Sequence, residues 1–225
     1  MTHSISTLIS MLQKRCHYGK FDFSDRKSRN KVVTQYLMKQ KINQVLNIGG
    51  GGSRHLTHPM LNVFEIDIQG DNNLTIDLEK SPVLPFKDSS FEAVTCLDSL
   101  EHLGNFHQIF EESLRVSRKG LLVTLPNSTR DIMSLVKRDS RYLNYRDRGS
   151  MTKYYGLTLD AEVDRHKWFI MGMDVLRFLS EKVLNRQYEV IFLIPSKFRI
   201  LMKIFPYTTF NFFLRTYIFY IEKKE

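Results

Sequence analysis

Apolar positions along the chain follow two rhythms, one helical and one extended. Residues 31–40 place Val32, Val33, Tyr36 and Leu37 at the i, i+3, i+4 spacing of one helix face, and 1–41 reads as a helical segment. Short apolar runs then predict strands at 44–48 and 62–68, with a brief third at 74–77. Pro82 and Pro85 break the chain before a fourth strand at 91–97. A helix is expected from Phe106 to Val116, with Phe106, Ile109, Phe110 and Leu114 inward and Lys119-Gly120 as its stop. A fifth strand, 121–125, ends at Pro126. Beyond it come a helix from Asp174 to Leu184, a sixth strand at 188–194, a short helix at 197–205 and a seventh strand at 212–221. Strand, crossover and strand in succession predict an α/β fold with a mostly parallel sheet.

Residues 127–170 break this rhythm. They are rich in Arg, Lys, Tyr, Asp and Ser, the composition of a surface insertion or substrate lid. The expected division is therefore 1–41, then a domain spanning 42–225 that carries 127–170 as its insertion. The Arg141–Arg148 run and Tyr154-Tyr155-Gly156 within it read as solvated surface.

Charge adds a second pattern. Lys and Arg outnumber Asp and Glu nine to two in 1–41 and ten to three in 114–153, but are outnumbered three to eleven in 42–113. An acidic middle suits a site that binds hydroxyls and amines, and basic flanks suit phosphate, nucleic acid or an anionic membrane. The two cysteines, Cys16 and Cys96, have neither metal-site spacing nor disulfide density. Residues 5–12 are only briefly apolar and run into Lys14-Arg15, unlike a secretory signal. A cytoplasmic location is expected. The stretch 204–221 carries Pro206, Asn211 and Arg215, which argues against a membrane span. Peripheral membrane contact through its Phe and Tyr residues stays open.

The candidate chemistry lies at the strand ends. The first strand stops in Gly49-Gly50-Gly51-Gly52, where the backbone must turn sharply and pass close to a ligand. Asp67 ends the next strand about twenty residues on, the spacing at which a carboxylate accepts both hydroxyls of a ribose. Asp77 ends the third strand, and the fourth leads into Asp98-Ser99-Leu100-Glu101-His102. In a parallel sheet these ends share one edge, where open α/β sheets bind ligands.

Three blocks carry a family resemblance: Val45-Leu46-Asn47-Ile48-Gly49-Gly50-Gly51, then Asp77-Leu78 with Leu84-Pro85-Phe86 and Ser90-Phe91-Glu92, then Asp98-Ser99-Leu100-Glu101-His102. Over 40–127 the chain resembles class I S-adenosylmethionine-dependent methyltransferases, of the small-molecule group called type 11. The resemblance implies a Rossmann-like, mostly parallel seven-stranded sheet with helices on both faces, an antiparallel last strand and an insertion after strand five. It implies S-adenosyl-L-methionine as cofactor. Gly49 and Gly51 would lie against its methionine part, with Asn47 just ahead of them. Asp67 would take the ribose hydroxyls, Asp77 and Leu78 would border the adenine, and Asp98 would face the methionine end. His102 and His166 are the candidate catalytic bases, and no metal is implied.

The chain departs from the family where Asn47 replaces the usual acid and Ser53 replaces the last glycine. The link from the second to the third strand is also too short for a normal parallel crossover, so either that strand is vestigial or a helix has been lost. Asp98 has a second reading as a helix cap. In the run Arg165-His166-Lys167-Trp168-Phe169, Trp168 reads either as a substrate platform or, with Phe169, as an anchor to the core. The expected acceptor is a small molecule, a sugar or a lipid-linked intermediate. The basic flanks keep RNA- or protein-directed methylation as an alternative, and Asn47 keeps a silent cofactor-binding protein as another.

Overall fold

The structure is a computed structural model that describes residues 5–21, 23, 25–50, 56–137, 166–183, 186 and 188–224. Gly51, Ser53, Arg141–Arg148 and Tyr154–Gly156 lie outside them, as does most of the expected insertion.

One sheet organises the molecule. Its strands are β1 (Cys16–Gly19), β2 (Gln44–Ile48), β3 (Asn62–Asp67), β4 (Leu74–Thr75), β5 (Phe91–Leu97), β6 (Ser117–Pro126), β7 (Glu189–Pro195) and β8 (Thr216–Glu222). The spatial order is β1-β7-β8-β6-β5-β2-β3-β4. All pairs are parallel except those of β8, which runs antiparallel to β6 and β7. The Rossmann-like arrangement and the antiparallel last strand are as expected, but there are eight strands rather than seven. The added one is β1, which lies in the segment expected to be helical. Only four residues long, it pairs with β7 at the sheet's edge and leaves almost no periodicity to read.

Helices cover both faces. On one, α2 (Arg26–Lys39) starts at Asp25, whose side chain accepts the Ser28 N–H at 2.8 Å, a standard cap. It buries Val32, Val33, Tyr36 and Leu37, the four residues its spacing predicts, against Val45, Ala93, Leu122 and Ile218. On the other face, α1 (Ile5–Lys14), α3 (Phe106–Val116) and α5 (Gly172–Lys182) pack over Leu46, Ile48, Val94, Cys96, Leu121 and Val123. The helix α3 ends at Val116, and Ser117 to Gly120 already belong to β6, so Lys119-Gly120 is not its stop. Burial pushes the Cys96 thiol up to about 12 and the Cys16 thiol up to about 11.

The short link between the second and third strands proves to be both things the sequence allowed. The strand β4 has two residues, and no helix separates it from β3. Asn73 holds the turn instead: its side-chain oxygen accepts the Glu65 N–H at 2.8 Å, and its own N–H reaches the Glu65 carbonyl at 3.0 Å.

The described ends of the insertion meet. The helix α4 (Ser128–Lys137) begins where Ser128 N–H donates to the Ile170 carbonyl at 2.9 Å. Ser128 Oγ in turn accepts the Ile170 N–H at 2.8 Å. Asn127 caps α4 and donates to the Asn211 and Leu214 carbonyls, both at 2.7 Å. Asn211 accepts the Gly172 N–H at 2.9 Å. Buried amides thus tie both ends of the insertion to one point beside β8.

Candidate active site

The chain reverses direction across the sheet at β2: it continues into β3 on one side and returns as β5 on the other. The crevice at the carboxyl ends of β2 and β5 is the switch point where such sheets bind ligands. Gly49 leaves β2 with φ +78°, a left-handed conformation. A Cβ placed there would sit 2.4 Å from the Ser99 Cβ, so the turns after β2 and β5 are already in contact. Asn30, Asn47, Gly50 and Leu97 line the small cleft alongside.

Below this turn a polar row crosses three strands. Asn47 is in register with Glu65 on β3 and Thr95 on β5. Its amide donates to Glu65 Oε1 at 3.3 Å, and its oxygen accepts Thr95 Oγ1 at 2.8 Å. Asn47 is 1% exposed and Glu65 3%. The second Glu65 oxygen is buried with no hydrogen-bond partner among the described residues. Glu65 also borders an open groove of about 640 Å³ lined by Leu56, His58, Leu61 and Asn73. A buried carboxyl therefore stands one strand over from position 47, at Glu65, and accepts a hydrogen bond from Asn47. Sequence reasoning missed Glu65. The signal was an acid inside an apolar strand, in phase with Asp67.

The other expected cofactor residues have defined partners. Asp67 Oδ1 accepts the Ile68 N–H at 2.7 Å, which fixes its carboxylate at the end of β3. Asp77 anchors a turn. Its Oδ1 accepts the Glu79 N–H at 3.1 Å and its Oδ2 pairs with Lys80 at 3.1 Å. The Lys80 hydrogen bond is the main cause that holds the Asp77 carboxyl below its ordinary value. Leu78 is buried beside it, and its carbonyl accepts Asn105 Nδ2 at 2.6 Å. Asp98 has φ +51°. It does not cap the following turn, Leu100–His102, whose N-cap position is taken by Ser99. Its carboxylate pairs with Arg29 from α2 and accepts Thr124 Oγ1 at 2.7 Å. Arg29 thus compensates the charge that was expected to face the methionine end.

The two histidines, far apart in sequence, meet in space. His102 closes the turn Leu100–His102 after β5, and His166 follows the insertion. Their rings lie 4.6 Å apart, edge to face. Glu101, 1% exposed, completes the group: one ligating atom from each of Glu101, His102 and His166 lies within 4.8 Å of the others. Three contacts hold His166 in place. Lys167 N–H donates to the Glu101 carbonyl at 2.8 Å, and Trp168 Nε1 donates to the Leu103 carbonyl at 2.6 Å. The Lys167 ammonium pairs with Glu79. Trp168 is therefore an anchor, with its ring also against Phe106 and His107. Phe169, expected to anchor as well, is 42% exposed.

Residues 46–124, which hold the glycine turn, the polar row and the Glu101–His102 turn, match the family model of the methyltransferase domain. Over that stretch, about a third of the chain, the match is to a methyltransferase domain of the class I S-adenosylmethionine-dependent kind. A methyltransferase domain implies methyl transfer as the activity and S-adenosyl-L-methionine as the cofactor. Among solved structures it is similar to the methyltransferase domain of a bacterial Hen1 protein, at 16% identity over 88% of this chain and 98% of that one, with a TM-score of 0.49. A SAM-dependent methyltransferase from Aquifex aeolicus is similar at 12% identity over 87% and 96%, with a TM-score of 0.42. The [4+2]-cyclase SpnF is similar at 15% identity over 53% and 56%, with a TM-score of 0.37. No curated protein matches the chain.

The residues present fit this cofactor. The left-handed Gly49 keeps its own position free of a side chain, Asp67 ends β3, and Glu65 presents a buried carboxyl oxygen without a donor among the described residues. When bound, S-adenosylmethionine supplies an electrophilic methyl group on a sulfonium. The domain's own task is to hold a nucleophile in line with that methyl and to exclude water.

Proposed function

We propose that the methyltransferase domain acts on a hydroxyl group of a small molecule, a sugar or a lipid-linked intermediate, received at Glu101, His102 and His166. The observation that carries this reading is the 4.6 Å approach of the His102 and His166 rings beside the turn that meets Gly49. A hydroxyl is a poor nucleophile until its proton is taken or weakened, and this polar group stands next to the switch-point crevice. Support for a saccharide comes from the run His166-Lys167-Trp168, whose donors and aromatic ring suit a polyhydroxylated ligand. The free thiols Cys16 and Cys96 support a reducing, cytoplasmic setting. No helix among the described residues is long and apolar enough to cross a membrane.

The test is a panel of hydroxylated metabolites, nucleotide sugars and lipid-linked saccharides incubated with the full chain and methyl-labelled S-adenosylmethionine. Label is expected in an acid- and base-stable ether, and its transfer should fall at least 100-fold in both His102→Ala and His166→Ala. Transfer to RNA instead, with affinity that drops steeply as salt rises, would replace this reading with the nucleic-acid one. Unchanged turnover in both variants would remove the histidines from the reaction.

A further inference from the structure

We infer that Glu101, His102 and His166 form a binding site for a divalent cation that receives the acceptor oxygen. The inference deepens the hydroxyl reading above and rests on it for the role of the cation, though not for its binding. Two imidazoles and one carboxylate are a donor set for borderline divalent ions such as Zn²⁺, Co²⁺ and Mn²⁺, and three protein ligands leave positions open for substrate. Ligands about 2.0–2.2 Å from one ion lie no more than about 4.4 Å apart. The three ligand atoms here lie within 4.8 Å of one another, an outer bound only slightly above that limit.

The frame around the three is already set. Glu101 and His166 are buried, at 1% and 6% exposure. The backbone bond from Lys167 to Glu101 and the indole bond from Trp168 to Leu103 join the two ligand-bearing segments next to the ligands themselves. A general base needs one histidine, whereas this arrangement fixes two histidines and a buried glutamate on a common point. Chemically, a hydroxyl oxygen on the cation loses its proton to solvent more readily. Its electron pair then forms the new carbon–oxygen bond as the methyl–sulfur bond breaks with its pair to sulfur. The products are a methyl ether and S-adenosylhomocysteine, with no oxidant or reductant consumed.

The experiment titrates the chelator-treated full chain with Co²⁺ and Mn²⁺ alone, followed by calorimetry and, for Co²⁺, visible absorption. One site per chain is expected, with the absorption of a nitrogen- and oxygen-bound low-coordinate ion. Glu101→Gln and His166→Asn should each weaken it at least 10-fold while retaining a cooperative melting transition. No binding by the unaltered chain, or undiminished binding in both folded variants, would overturn the site. Failure of the methyl-transfer reading appears separately, as absence of S-adenosylmethionine binding in the same calorimeter.

A different observation carries a second inference. The segment from α6 (Arg199–Ile204) through α7 (Pro206–Thr208) and the π turn Thr209–Phe213 buries Met202 and Phe210, yet exposes Ile200 at 71%, Ile204 at 61%, Phe205 at 58% and Phe213 at 47%. Residues 196–215 contain Lys197, Arg199, Lys203 and Arg215 and no acid. Apolar side chains presented among cations alone are the pattern of a surface that lies on an anionic bilayer. We propose that this face docks onto anionic phospholipid. The full chain should co-sediment with phosphatidylglycerol vesicles far more than with phosphatidylcholine vesicles. Ile200→Ser with Phe205→Ser should reduce that binding at least 10-fold. Equal binding to both vesicles, no binding, or concentration-dependent dimerisation through this face would overturn it.

Discussion

The glycine side of the cleft is assembled from close neighbours: Glu65, Asn47 and Thr95 lie in register on three adjacent strands, with Gly49 directly above. The histidine side joins a turn after β5 to a segment beyond the insertion, through two hydrogen bonds and an ion pair. The first takes its precision from the sheet itself, which cannot shift one residue without turning every side chain over. The second depends on a few polar contacts between segments far apart in sequence. Substitutions on the glycine side should therefore fail by losing the fold or the cofactor, and those on the histidine side by losing alignment.

The largest effect should come from Gly49→Ala. Its φ of +78° and the 2.4 Å approach to Ser99 leave no place for a methyl group. A stability loss of about 3 kcal/mol is expected in denaturant melts. Asn47→Asp should cost nearly as much at neutral pH, about 3 kcal/mol, because it sets a second buried carboxylate against Glu65. Repulsion raises the pKa of such a pair in the folded state, so the deficit should shrink as pH falls and a proton is shared. A deficit independent of pH would deny Asn47 the role of neutral partner. Asp67→Ala should leave the fold intact and weaken S-adenosylmethionine by about 10- to 100-fold in calorimetry; an unchanged affinity would refute the ribose assignment.

On the histidine side, Trp168→Phe removes only the bond to Leu103 and should cost about 1 kcal/mol of stability. Turnover should drop more than cofactor affinity, since the lost contact aligns His166. Equal losses in both would erase the contrast. At the amino edge, Glu92 provides a control remote from either side. Burial alone would raise its carboxyl, but hydrogen bonds from Lys119 and from the Asn43 and Gln44 N–H groups hold it down to about 2. Its folded value lies below the ordinary 4.5, so its contribution is present above that pH and is lost as pH falls toward 2. Glu92→Gln should cost about 1 kcal/mol at pH 7, with the two stability curves converging in acid.

The same contrast explains what the sequence revealed. The strands 44–48, 62–68 and 91–97 and the helix 106–116 were legible because their periodicity is local. So was the place of Asp67 at the end of β3; Asp77, expected to end the third strand, instead lies two residues beyond β4 and anchors a turn. Glu65 was hidden because its meaning depends on register with Asn47, a relation between strands that no single run displays. The pairing of Asp98 was hidden for a similar reason: its partner Arg29 comes from α2, before β2. The His102–His166 meeting depends on how the chain returns from the insertion. The strand β1 was missed because four residues at an edge carry too little pattern.

The paired bonds between Ser128 and Ile170 have a consequence for what the chain can tolerate between them. Entry and exit of the segment are stapled together, so its closure is settled at its base whatever its contents. Lengthening the segment then costs little, since loop entropy grows only slowly with length. The two ends are thus fixed hinge pins, and changes made between them leave the register of the sheet beneath untouched.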